Sequence, residues 1–64
     1  MGRKKNSSDF LKECIADALF ILLRTKSIES ITVREITELA NVSRITYYRN
    51  FTSKENVIEF KLDK

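Results

Sequence analysis

An all-α fold is predicted by three features of this sequence. It has no proline and a single glycine near its start, it lacks the alternating β-branched runs that make strands, and its apolar residues recur at helical spacing. Its 64 residues suffice for one small domain, which buries a smaller share of its surface than an average domain does.

Residues 1–7 carry Arg3, Lys4 and Lys5 with no apolar residue after Met1, the composition of a flexible basic tail. A first helix is expected from about Ser8. Phe10, Leu11, Cys14, Ile15, Ala18, Leu19, Leu22 and Leu23 fall on one broad face, and Arg24 and Lys26 match the negative end of its dipole. After a short connection, Thr32 followed by Glu35 at the third position is a capping box, which starts a second helix of about two turns. Val33, Ile36 and Ala40 form its inner stripe with Leu39 beside them, while Arg34, Glu35 and Glu38 point outward.

Asn41 tolerates the left-handed conformation that ends a helix, and Ser43 is a good N-cap for the next one. The third helix runs from about Arg44 to Asn50. Its phase sends Tyr47 and Phe51 inward, with Val42 ahead of them, and leaves Arg44, Ile45, Tyr48 and Arg49 outside. Thr52 or Ser53 caps a fourth helix in which Val57, Ile58, Phe60 and Leu62 go around more than one face, as if to pack on a further part of a longer protein. The expected architecture is a three-helix helix-turn-helix domain of the homeodomain-like kind over residues 8–53, with residues 54–64 starting a fourth helix that leads to a C-terminal domain.

Chemistry narrows the function. There is no histidine, one cysteine and no Gly-rich phosphate loop, so neither a disulfide framework nor a Cys/His zinc site can be assembled, no cofactor is implied, and an enzyme is not expected. The longest apolar stretch, Ile15 to Leu23, is interrupted by Asp17 and is about half the length that spans a bilayer. A reduced, cytoplasmic protein without membrane contact follows. The net charge of +3 is mild, but from Leu39 through Lys54 there is no acidic residue, so this window can face a polyanion without repulsion.

The succession Thr32-Val33-Arg34-Glu35-Ile36, Asn41-Val42-Ser43, Thr46-Tyr47-Tyr48-Arg49-Asn50-Phe51 and Ser53-Lys54-Glu55 resembles the N-terminal DNA-binding domain of TetR-type regulators, over roughly residues 10–60. The resemblance implies sequence-specific binding of double-stranded DNA with the third helix in the major groove. It also implies a parent protein, usually a ligand-responsive repressor, that forms a homodimer through its C-terminal domain; the piece seen here would then be monomeric. Asn41 stands where the family usually has Gly, Thr37 where it has Ala, and Ile45 where a small residue or Pro is more common. A Gly is also missing around Lys26 and Ser27.

Candidate DNA-binding residues divide between phosphates, which supply affinity, and base edges, which supply discrimination. Lys54 at the start of the fourth helix is placed on a phosphate, the alternative being a solvated lysine in a first turn where a cation is disfavoured. Tyr48 donates its phenol to a phosphate or is a rim aromatic, and Thr46 resembles the family's phosphate-binding threonine or bonds its own helix. Arg44 reads guanine or holds a phosphate; Ile45 touches a thymine methyl or caps the hydrophobic edge. Arg49 and Asn50 reach the backbone or groove edge, or are merely solvated, and Arg34 crosses to a phosphate or pairs with Glu38. Ser43 is a cap first and a phosphate ligand second. The competing function is a helical protein-interaction module working through Val57, Ile58, Phe60 and Leu62.

Overall fold

Four helices and one short 3-10 turn make up the computed structural model, which describes residues 7–62. They are α1 (Ser7–Leu22), the turn Ile28–Ser30, α2 (Val33–Ala40), α3 (Arg44–Asn50) and α4 (Lys54–Leu62), with no strand among the described residues. The basic tail with Arg3, Lys4 and Lys5 lies outside the described residues, apart from Ser7, which is helical.

Helix α1 is the element against which α2, α3 and α4 all pack. Ile15, Ala16, Ala18 and Leu19 are buried, and they meet Ile31, Ile36, Tyr47, Phe51 and Val57 in one core. The periodicity of α1 leaves out Ala16, which is fully buried, and includes Phe10, which is 61% exposed. A helix with three neighbours buries an arc wider than a single stripe, and a methyl side chain lets backbones approach closely at its edge. Phe10, one turn from the helix start, extends past those neighbours. Leu11, Cys14, Leu22 and Leu23 are half-buried at the margins.

The expected capping box opens α2. Thr32 Oγ1 accepts the Glu35 N–H at 3.1 Å while Glu35 Oε1 accepts the Thr32 N–H at 3.0 Å. Ile36 is fully buried, whereas Leu39, expected beside the inner stripe, is 48% exposed. Its place inside is taken by Thr37, which is 4% exposed; the hydroxyl donates back to the Val33 and Arg34 carbonyls and so enters the core satisfied. The buried threonine therefore carries its own hydrogen bonds.

Asn41 sits at φ 62° and ψ 45°, in the left-handed region. Its N–H reaches the Glu38 carbonyl at 3.3 Å and the Val42 N–H reaches that of Thr37 at 3.0 Å, the two crossed bonds of a Schellman end. Two residues later Ser43 Oγ accepts the Thr46 N–H at 3.1 Å and starts α3. Helix α4 begins in the same way, with Ser53 Oγ accepting the Asn56 N–H at 3.0 Å. Its apolar residues are better housed than their spacing implies: Val57 is fully buried, Ile58 and Phe60 pack against the core, and Leu62 alone of the four is widely exposed. Phe60 stacks edge-on to Phe51 at 5.9 Å, with the Lys12 ammonium 5.7 Å and 6.0 Å from the two ring centres.

Ion pairs among the described residues tie elements together. Lys61 Nζ meets Asp17 Oδ1 at 2.8 Å, joining the end of α4 to α1, and the pairing holds the Lys61 pKa above its ordinary value. Lys26, expected to complement the end of α1, instead pairs with Glu35 of the capping box. That bond, assisted by the Thr32 N–H, holds the Glu35 carboxyl below the usual carboxylate range.

Candidate nucleic-acid interface

Helix α3 is seven residues long, about 10 Å, and divides lengthwise. Tyr47 faces inward at 1% exposure with Phe51 just beyond the helix, their rings 6.0 Å apart. On the other side stand Arg44, Ile45, Tyr48 and Arg49, all exposed, with Ile45 at 69% and Tyr48 at 63%. The Tyr48 ring lies edge-on against that of Tyr47 at 5.3 Å, so the buried tyrosine braces the exposed one. Neither Arg44 nor Arg49 is in an ion pair among the described residues, so both guanidinium groups are available to an anion.

The remaining sequence-predicted residues are engaged within the fold. Thr46 Oγ1 lies 3.0 Å from Ser43 Oγ, making a hydroxyl pair at the first turn of α3. Asn50 Nδ2 donates to the Thr46 carbonyl at 2.8 Å and closes the far end of the helix. Arg34 Nε donates to Glu38 Oε2 at 3.0 Å, the intrahelical pair that its spacing allows, on an exposed surface. Lys54 does not wave in solvent at the start of α4. Its ammonium donates to the carbonyls of Ile28 at 2.6 Å and of Ile31 at 2.7 Å, across the connection between α1 and α2.

The structure thus brings Arg44, Ile45, Tyr48 and Arg49 onto one outward face, with Ser43 and Thr46 at its leading end. Lys54 is set apart from them by its bonds to the connection. Those two carbonyls were missed by sequence reasoning because backbone oxygens leave no residue signature. The one available signal was a lysine in a first turn, where a cation needs a partner to offset the helix dipole. Burial pushes the Tyr47 phenol pKa upward, with Tyr48 and Glu55 adding to the effect, and the Tyr47 hydroxyl has no hydrogen-bond partner among the described residues. This phenol therefore belongs to the core and offers nothing to the face.

Similarity to known proteins agrees with this geometry. Residues 15–59 match the family described as bacterial regulatory proteins, tetR family. Over 50 residues the chain is 42% identical to an uncharacterized HTH-type transcriptional regulator, YvkB, of Bacillus subtilis (strain 168). That alignment takes in 78% of this chain and 26% of the relative, so the chain spans about a quarter of the relative's length. No solved structure gives a significant match. With the capped two-helix motif in place and the family match covering most of its length, the chain belongs to the tetR family of bacterial regulatory proteins, as a DNA-binding helix-turn-helix domain.

Proposed function

We propose that this domain binds double-stranded DNA sequence-specifically, as the N-terminal part of a cytoplasmic transcriptional regulator, with α3 laid in the major groove. The observation that carries the proposal is the outward face of α3: two guanidinium groups without an ion-pair partner among the described residues, a phenol and an isoleucine, all exposed, in a stretch from Leu39 through Lys54 without an acidic residue.

Within this reading Tyr48, Thr46 and Lys54 hold phosphates, with Ser43 contributing after its role as a cap. Arg34 joins them by exchanging Glu38 for a phosphate, and Arg49 and Asn50 lie at the groove edge. Arg44 at the leading end of α3 reads guanine through its paired N–H donors, and Ile45 reads a thymine methyl. The thymine role for Ile45 is favoured by its 69% exposure, since a side chain standing that far out covers no apolar edge. The parent protein is a ligand-responsive repressor that dimerises through a domain outside this chain, and the chain by itself is monomeric. A relative of which this chain spans 26% supports a longer parent. Among the described residues no helix is long and apolar enough to cross a membrane, which fits a cytoplasmic setting.

Titration against duplex DNA over a range of salt concentrations tests the reading. Affinity should fall steeply as salt rises, because each phosphate neutralised releases counterions; an affinity indifferent to salt overturns it. Arg44→Ala should cost about 1 to 3 kcal/mol of discrimination at one base pair, with the thermal unfolding of the free domain unchanged.

A further inference from the structure

Lysine is an unexpected residue for the first turn of α4, since the unpaired N–H groups there make that end positive. The fold answers this by turning the Lys54 ammonium away from its own helix and onto two carbonyl oxygens of the connection between α1 and α2. The bonds span 26 and 23 residues of chain, and Lys54 is half-buried where they form. They grip the 3-10 turn at both ends: Ile28 is its first residue and Ile31 follows its last, while the Ile31 N–H closes the turn onto the Ile28 carbonyl at 3.3 Å. An ammonium has three N–H donors in all, so two on carbonyls leave one.

A lysine stem is long and flexible, and binding an anion ordinarily requires it to be ordered at that moment. Here the ordering is done by the fold. We propose that the Ile28 and Ile31 carbonyls are positioning groups for Lys54, which meets a DNA phosphate with its third N–H without leaving them, so that the α1–α2 connection sets DNA affinity without touching DNA. The proposal rests on the DNA-binding reading above. It differs from two simpler arrangements, one in which Lys54 is only a staple and one in which the ammonium abandons the carbonyls when a phosphate arrives.

The test follows the ammonium directly in the whole chain, labelled with nitrogen-15 and carbon-13, by NMR. Hydrogen-bond couplings from Lys54 Nζ to the carbonyl carbons of Ile28 and Ile31 are expected in the free protein and again in the complex with a duplex, where the Nζ resonance shifts. Lys54→Met is expected to move the Ser30, Ile31 and Thr32 amide resonances of the free protein, to weaken DNA binding by more than tenfold, and to lower the salt slope by about one. Lys54→Arg, which keeps the charge but not the compact ammonium, should retain the slope and recover only part of the affinity. Couplings lost on DNA binding would overturn the proposal, and so would an unchanged salt slope in both variants. Wild-type protein that shows no salt-dependent binding while its couplings are intact would instead sink the DNA-binding reading, and this proposal with it. Should Lys54→Met fail to fold, the wild-type couplings and Lys54→Arg still decide.

Discussion

The two connections on either side of α2 are built by opposite means. Between α2 and α3 the hydrogen bonds are local: Asn41 supplies the left-handed residue, its N–H and that of Val42 close the helix end, and Ser43 caps the next helix, all within about two turns of chain. Between α1 and α2 devices from elsewhere are added to the local ones. Lys54 arrives from α4, Glu35 reaches back to Lys26 and Ile31 plugs into the core, beside the local Ile31 N–H bond to the Ile28 carbonyl and the Ser27–Ser30 hydroxyl contact at 3.2 Å. A turn of the first kind is specified by its own residues. The second kind is specified by the tertiary fold and stands or falls with it.

The contrast is broken most severely at Ile31, which at 1% exposure is the fully buried residue of the α1–α2 connection. Ile31→Ala should cost about 2 to 5 kcal/mol in chemical denaturation, a large part of what a domain this small has in total. Protection from hydrogen exchange in residues 28–32 should collapse, leaving that around Asn41 the last to go. An equal loss at both connections would show that they are not independent. The matching local test is Asn41→Ala, which forces an alanine to φ 62° and should cost about 1 to 2 kcal/mol. Asn41→Gly should leave stability unchanged or slightly higher, because glycine enters that region freely.

Those two sites also explain what the sequence discloses. The capping box at Thr32 and Glu35, the turn at Asn41 and Ser43, and the division of α3 into inner and outer sides were legible because each depends on residues three or four apart. Ile31, Ala16 and the buried Thr37 were not, since their burial is decided by which helices come to lie over them. In the candidate site, the outer face of α3 followed from phase alone. The bonds of Lys54 depend on a chain reversal through two intervening helices, which no spacing rule contains.

Tyr47 sharpens the picture from the buried side of α3. Its hydroxyl is enclosed with no hydrogen-bond partner among the described residues, a cost the fold bears without return. Tyr47→Phe is expected to raise stability by about 1 kcal/mol and to leave DNA affinity untouched; lost affinity would mean that the inner side of α3 takes part in recognition.

The smallest effect concerns pH. Glu35 has a pKa lowered by Lys26 and by the Thr32 N–H, so its contribution to stability is present above the carboxyl's unfolded pKa and is lost as pH falls through the folded value. On this half-exposed carboxylate, reached by solvent, the effect is slight. Unfolding curves collected from neutral into acid should therefore show a small fall that is shallower in Glu35→Gln, which keeps a capping side chain without the charge. With no histidine in the chain, no side chain has an ordinary pKa between pH 5 and 8, and stability should be level there.

The pair of adjacent tyrosines has an optical consequence. The chain has no tryptophan, so its near-ultraviolet emission comes from these two phenols alone, one sealed in the interior and one standing in solvent. Light from Tyr47 monitors whether the interior is intact, while Tyr48 is the fluorophore that a collisional quencher or a stacked base can reach. With the rings 5.3 Å apart the two share their excitation, so a quencher that reaches Tyr48 drains both, and comparing quenching before and after DNA is added reads ligand occupancy in unlabelled protein.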